Sequence, residues 1–366
     1  MTAADGTSRT TAADGTSRTT TADGTTRTTE ADGAARMSAA DGAARSDPGE
    51  VRSYHGQPVL KEPVWTWEIP LYFFTGGVAG GSAGLAYLSQ VRGDEELARR
   101  AWAAALAGIA VSPALLASDL GRPERFLNML RMFKVTSPMS VGSWILSGAG
   151  ASTTLAAVNA WTGLFPRTSR IAKPVAAILG LPLSTYTAAL LANTAVPVWH
   201  ESDKLLPFIF GSGAALSAGA IGVAVMPPGR APAARRLALG AAVLEGPLME
   251  LMTHRAGEHG KVYRRGVPSR FANISRACVI GGAALLYRRG NSSRIAAIAS
   301  AALLCAGALA TRWSIFEAGF SSARDPENVI GPQRAAIQRG ERPGAARLKP
   351  RSAVTDPTMG SPPATR

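Results

Sequence analysis

The hydrophobic pattern divides this chain into three parts. Residues 1–57 and 321–366 are polar, and between them long apolar runs alternate with short basic connections. Eight runs stand out, at 68–91, 101–118, 139–161, 172–198, 205–226, 237–252, 271–287 and 295–316. A bilayer calls for helices of about twenty apolar residues, whereas a soluble core has no need of so many such runs. The pattern therefore predicts an all-α integral membrane protein, with residues 58–320 forming a bundle of about eight transmembrane helices between disordered polar tails. The seventh run is short and holds Arg276. An even number of spans puts both termini on one side. The Lys and Arg totals of the connections on the two sides nearly balance, so the positive-inside rule sets no orientation.

Inside the runs, small residues are dense. Gly76, Gly77, Gly80, Gly81 and Gly84 give several pairs four apart, which let neighbouring backbones approach closely. A phosphate-cradling loop is the rival reading, but no strand precedes these glycines and no lysine follows them. Pro113, Pro182, Pro197 and Pro247 fall within or near the ends of runs, where membrane-embedded helices tolerate them.

The N-terminal tail repeats every nine residues, with Asp5, Asp14, Asp23, Asp32 and Asp41 followed by Arg9, Arg18, Arg27, Arg36 and Arg45. A calcium-binding solenoid would need an apolar side chain in each unit to pack inward, so low complexity and disorder are expected instead. Met37 lies inside the array and is a second candidate for the start of translation. No apolar signal segment precedes the first run.

The formal charge of +14 brings nucleic acid into question. The basic residues sit in the tails and connections, with no stripe interleaved with aromatics. Charge at membrane boundaries accounts for them. Cys278 and Cys305 are isolated within apolar runs, too few for an iron–sulfur cluster and not spaced as a zinc site. His55, His200, His254 and His259 lie in the tail or at run ends, not where paired haems need axial ligands. No bound cofactor or metal is expected.

Ionisable groups near or within the runs are the places to look for chemistry. Glu68 opens the first run beside Trp65, Trp67 and Tyr72, either as part of an interfacial aromatic belt or as the wall of a polar headgroup pocket. The connection after the second run carries Asp119, Arg122, Arg125, Asn128, Arg131, Lys134 and Ser137, which suits an ordered loop or an ordinary solvated one. Trp144, just inside the third run, is placed to close the apolar side of a pocket. Glu245 and Glu250 are five apart and point to different faces of one helix, with Arg276 and Arg312 as candidate partners. Interhelical pairing is the simpler expectation for these four, and a proton relay the functional one.

The string Trp65-Thr66-Trp67-Glu68-Ile69-Pro70-Leu71-Tyr72, with the glycines that follow, resembles the first helix of the NrfD/polysulfide reductase membrane subunit family. Asp119-Leu120-Gly121-Arg122-Pro123-Glu124-Arg125-Phe126, Thr136-Ser137-Pro138-Met139-Ser140 up to Trp144, and Arg312-Trp313-Ser314-Ile315-Phe316-Glu317 with Asp325-Pro326 agree in order. The resemblance spans residues 58–334. It implies a cofactor-free, multi-pass anchor in the cell membrane. Such an anchor docks a four-cluster ferredoxin-like iron–sulfur subunit of a molybdopterin enzyme and exchanges electrons with a quinone, menaquinone by expectation. Carried over by position, Trp67, Glu68, Ile69 and Tyr72 fall at the quinone contacts, where Ile69 and Tyr72 replace an amide and an imidazole of one branch. The resemblance also places Asp119, Arg122, Trp144 and Tyr186 around that pocket, and Arg125, Asn128 and Ser137 in the docking loop. A purely structural anchor and a stand-alone transporter are the competing readings.

Overall fold

The structure, a computed structural model, describes residue 60 and residues 63–119 and 128–324. The repeat-bearing tail, Arg122, Arg125 and Asp325 lie outside the described residues. Among those described, helices are the only regular structure. Eight are long: α1 (Glu68–Val91), α2 (Glu95–Asp119), α3 (Pro138–Thr162), α4 (Pro166–Ala192), α6 (Leu206–Val225), α7 (Pro232–Arg255), α9 (Gly266–Arg289) and α10 (Arg294–Arg324). Two short helices, α5 (Pro197–Glu201) and α8 (Gly257–Gly260), and a 3₁₀ turn at Lys261–Arg264 complete the set.

Local chemistry sets the helix starts. Asp94 accepts the Leu97 amide at 3.1 Å ahead of α2, and Ser137 accepts the Ser140 amide at 3.4 Å ahead of α3. Pro138, Pro166, Pro197 and Pro232 each open a helix, where the missing amide hydrogen costs nothing. The run expected at 172–198 divides here. α4 stops at Ala192, and Val196 is extended because the ring of Pro197 excludes a helical residue before it. α2 begins at Glu95, ahead of its apolar run, because its charged first turn with Glu95 and Glu96 reads as loop in sequence. α10 continues to Arg324, four residues past the expected domain edge at 320.

Five of the long helices, α2, α3, α4, α6 and α10, are long and apolar enough to cross a membrane. The expectation of a membrane helical bundle holds at that level. The other three owe their lower hydropathy to glycines in α1 and to charges in α7 and α9.

Consecutive long helices pack as antiparallel hairpins, and α1 also packs on α4 and α6, while α6 packs on α10. The centre is thus α1 with α6. Of the apolar window of α6, 67% is buried, against 33% for α2 at the periphery. The connections at residues 92–94, 163–165, 226–231 and 290–293 are short turns at one end of the bundle. The connections at residues 193–205 and 256–265, and the described residues 128–137 ahead of α3, lie at the other. Large aromatics fill the core near that second end, including Tyr72, Phe73, Trp199, Phe210 and Phe316. The half of the core near the short turns is mostly alanine and leucine around Trp102.

The α1 glycines divide into those that need to be glycine and those that do not. A Cβ at Gly80 would lie 2.2 Å from the Gly180 carbonyl oxygen, so α1 and α4 meet backbone to backbone. A Cβ at Gly84 would meet nothing within 4 Å. Gly80→Ala is expected to destabilise the bundle by about 1–3 kcal/mol through overpacking. Gly84→Ala should be neutral or stabilising by up to about 1 kcal/mol. Thermal unfolding of the two variants in detergent checks the contrast, and equal melting temperatures would contradict it.

Candidate functional site

At the end of the bundle with the long connections, the start of α1 meets the end of α2. The backbone amide of Thr66 donates to Asp119 Oδ1 at 3.1 Å, and its hydroxyl approaches the same oxygen at 2.8 Å. The Thr66 hydroxyl also contacts Glu68 Oε2. Glu68 and Asp119, fifty-one positions apart in sequence by subtraction of their numbers, are therefore joined through one side chain. A hydroxyl has a single proton, so it serves one carboxylate at a time. Thr66 was not among the candidates from sequence, although a hydroxyl residue just ahead of a helix-opening acid is a usual capping signal. Beside it, Trp65 stacks on Trp199 with ring centres 5.7 Å apart, while Trp67 is exposed.

One turn further along α1, Tyr72 is buried and its hydroxyl bonds to that of Tyr186 on α4. The rings meet edge to face at 6.5 Å. Gly142 on α3 makes room for this pair, since a Cβ there would lie 2.2 Å from the Tyr186 ring. Ile69 is buried in the surrounding core. Below, Thr75 and Ser112 link α1 to α2 at 2.9 Å. The structure thus brings Glu68, Asp119, Ile69, Tyr72 and Tyr186 to one end of α1. Trp144 stands elsewhere. Two residues from Gly142, it is rotated about 200° around α3, remains 44% exposed, and packs on Phe133 at 6.1 Å. Asn128 opens a single exposed turn, and Ser137 serves as the cap of α3.

The centre of the bundle holds a cation. Arg312 on α10 is 1% exposed. Its Nε donates to the Phe73 carbonyl at 3.1 Å, Nη1 to Ala308 at 2.9 Å and Nη2 to Phe210 at 3.2 Å. One guanidinium therefore ties α1, α6 and α10 together. Phe210 and Phe74 offer ring faces at 5.5 and 6.0 Å. Gly77 and Gly213 clear its space, because a Cβ at either would fall 2.8 or 2.7 Å from a guanidinium nitrogen.

Next to Arg312, Thr311 donates to Glu245 Oε1 on α7 at 2.6 Å and shares a 2.7 Å hydrogen bond with Ser275 on α9. Glu245 is 2% exposed, while Glu250, five residues on, faces outward. The expected pairing is realised for one acid only. Glu250 meets Arg276 at 2.5 Å with both side chains more than half exposed, whereas Glu245 takes the Thr311 hydroxyl and Arg312 takes carbonyls. The reason is reach: Arg276 lies on the outer face of α9, and Arg312 points toward α1. Thr311 and Ser275 escaped the sequence reading because hydroxyls inside helices usually bond their own carbonyls.

A cavity of about 550 Å³ opens between α7 and α9, with Glu245, Tyr263, Asn273, Ser275 and the Glu250–Arg276 pair on its walls. Among the described residues no three His, Cys, Asp or Glu side chains gather as a metal site. His200 contacts the Ala192 carbonyl at 3.2 Å and so closes the end of α4.

Arg312→Lys keeps the charge but loses the fork that reaches three helices. Each charged hydrogen bond lost is expected to cost about 1.5–3 kcal/mol. Thermal unfolding followed by tryptophan fluorescence reads this directly, and a lysine variant as stable as the parent would contradict the role given to the guanidinium.

A family model described as polysulfide reductase matches residues 53–324. No curated protein matches the sequence.

Proposed function

Because the chain belongs to the NrfD/polysulfide reductase family, a family of oxidoreductase membrane subunits, we propose that it exchanges electrons between a docked iron–sulfur subunit and a membrane quinone. Menaquinone is the proposed carrier, and the proposed neighbours are a four-cluster ferredoxin-like subunit and a molybdopterin enzyme. The cell membrane is the proposed location. The observation that carries the reading is that the Tyr72–Tyr186 hydroxyl pair and the Thr66–Glu68–Asp119 cluster lie one helical turn apart at the same end of α1.

Reduction of a quinone takes two electrons and two protons. The electrons come from the docked neighbour, since this chain offers only two cysteines as soft ligands. The chain's own part is to bind, orient and protonate. Within the hydroxyl pair one tyrosine donates to the other, so the accepting tyrosine keeps its own proton to donate to a quinone carbonyl, and buried walls keep competing water away. Glu68 and Asp119, at the exposed rim, connect that hydroxyl pair to the aqueous side and supply protons. Of the relay candidates Glu245, Glu250, Arg276 and Arg312, the buried Glu245 is assigned proton exchange and the buried Arg312 a holding role. Glu250 and Arg276 close on each other at the surface.

The joint substitution Glu68→Gln and Tyr72→Phe, made in the assembled complex, is expected to lower quinone-linked turnover about a hundredfold. Retention of the iron–sulfur subunit on purification controls for assembly. Full turnover in that assembled variant would remove the site from Tyr72.

A further inference from the structure

Two residues on the wall of the cavity between α7 and α9, Glu245 and Tyr263, each carry a buried polar atom with no partner among the described residues, Oε2 and the phenol hydroxyl. Glu245 and Tyr263 are 2% and 4% exposed. An unsatisfied buried carboxylate oxygen and phenol together cost several kcal/mol, which is a reason to look for what they bond. The neighbouring Glu245 oxygen is already held by Thr311, so the carboxyl is fixed with its second oxygen unpartnered. Burial raises the affinity of the Tyr263 phenol for its proton, which keeps it an O–H donor.

The remaining walls are largely apolar. Ala242, Pro247, Met249, Ala272, Val279 and Ile280 line the space, and Ile280 is 63% exposed at the outer face of α9. A volume of about 550 Å³ falls within the usual range for small-molecule sites and is far more than one or two bridging waters occupy. Besides Glu245, the charged side chains on its walls are the exposed Arg264 and the Glu250–Arg276 pair. A fully polar solute would leave the apolar walls unused, and a pure hydrocarbon would leave both polar atoms orphaned.

We propose that this cavity is a second ligand site, taking the headgroup of an amphiphile that presents a hydroxyl to Glu245 and an acceptor oxygen to Tyr263, with its apolar tail leaving between α7 and α9. It stands apart from the Tyr72 cluster, which lies on α1 and α4. Two membrane components share this chemistry, a quinol and the glycerol headgroup of a phospholipid.

Photolabelling of the full chain in nanodiscs distinguishes them, using an azido-naphthoquinol and a diazirine-bearing phosphatidylglycerol as separate probes. One of the two is expected to label α7 and α9 peptides. Ala272→Phe, which fills the space, should reduce that labelling at least about tenfold, and Glu245→Gln or Tyr263→Phe about fivefold each. Labelling of peptides around Tyr186 reports separately on the site of the proposed function and controls for folding. A quinol-only or a phosphatidylglycerol-only signal lost in Ala272→Phe supports the site and names its source. Absence of label from both probes, or label indifferent to Ala272→Phe in a variant that still labels or unfolds like the parent, overturns it.

Discussion

A guanidinium buried among helices dictates much of this architecture. Removing a charge from water is so costly that every donor must find an oxygen. Arg312 meets that demand with carbonyls from α1, α6 and its own helix, and two aromatic faces cover the rest. Helix carbonyls can accept a second hydrogen bond without losing the first, so the cation is held at no expense to the helices. The geometry also requires absence of bulk. Gly77 and Gly213 are glycine because a side chain would occupy the guanidinium's place. The glycine-rich face of α1 therefore serves two ends, close packing on α4 and room for a charge.

This arrangement separates two polar neighbourhoods that share one end of the bundle. On one flank, Thr66, Glu68 and Asp119 border the Tyr72–Tyr186 pair. On the other, Glu245 faces the α7–α9 cavity. Between them, Arg312 reaches the Phe73 carbonyl, adjacent to Tyr72, while its neighbour Thr311 holds Glu245. The same two residues of α10 thus border both neighbourhoods.

Much of the fold was legible, because apolar period and length are local properties. Eight runs became eight long helices, and Glu245 and Glu250 took opposite faces as a spacing of five requires. Ends were less legible: Pro197 marked a break that hydrophobicity ran straight through, and the charged first turn of α2 read as loop. The site was legible in its charged and aromatic members. Its hydroxyls were not, since Thr66, Thr311 and Ser275 acquire meaning only from partners on other helices. The partner of Arg312 was equally hidden, because carbonyl oxygens belong to every residue alike.

The short turns at residues 92–94, 163–165, 226–231 and 290–293 bind the helices in pairs at one end only. Mechanically, each pair is a pair of tongs with its rivet at that end. Tyr72, Glu68 and the cavity mouth beside Glu250 all lie toward the opposite end, where the longer connections tie the helix ends less closely to one another.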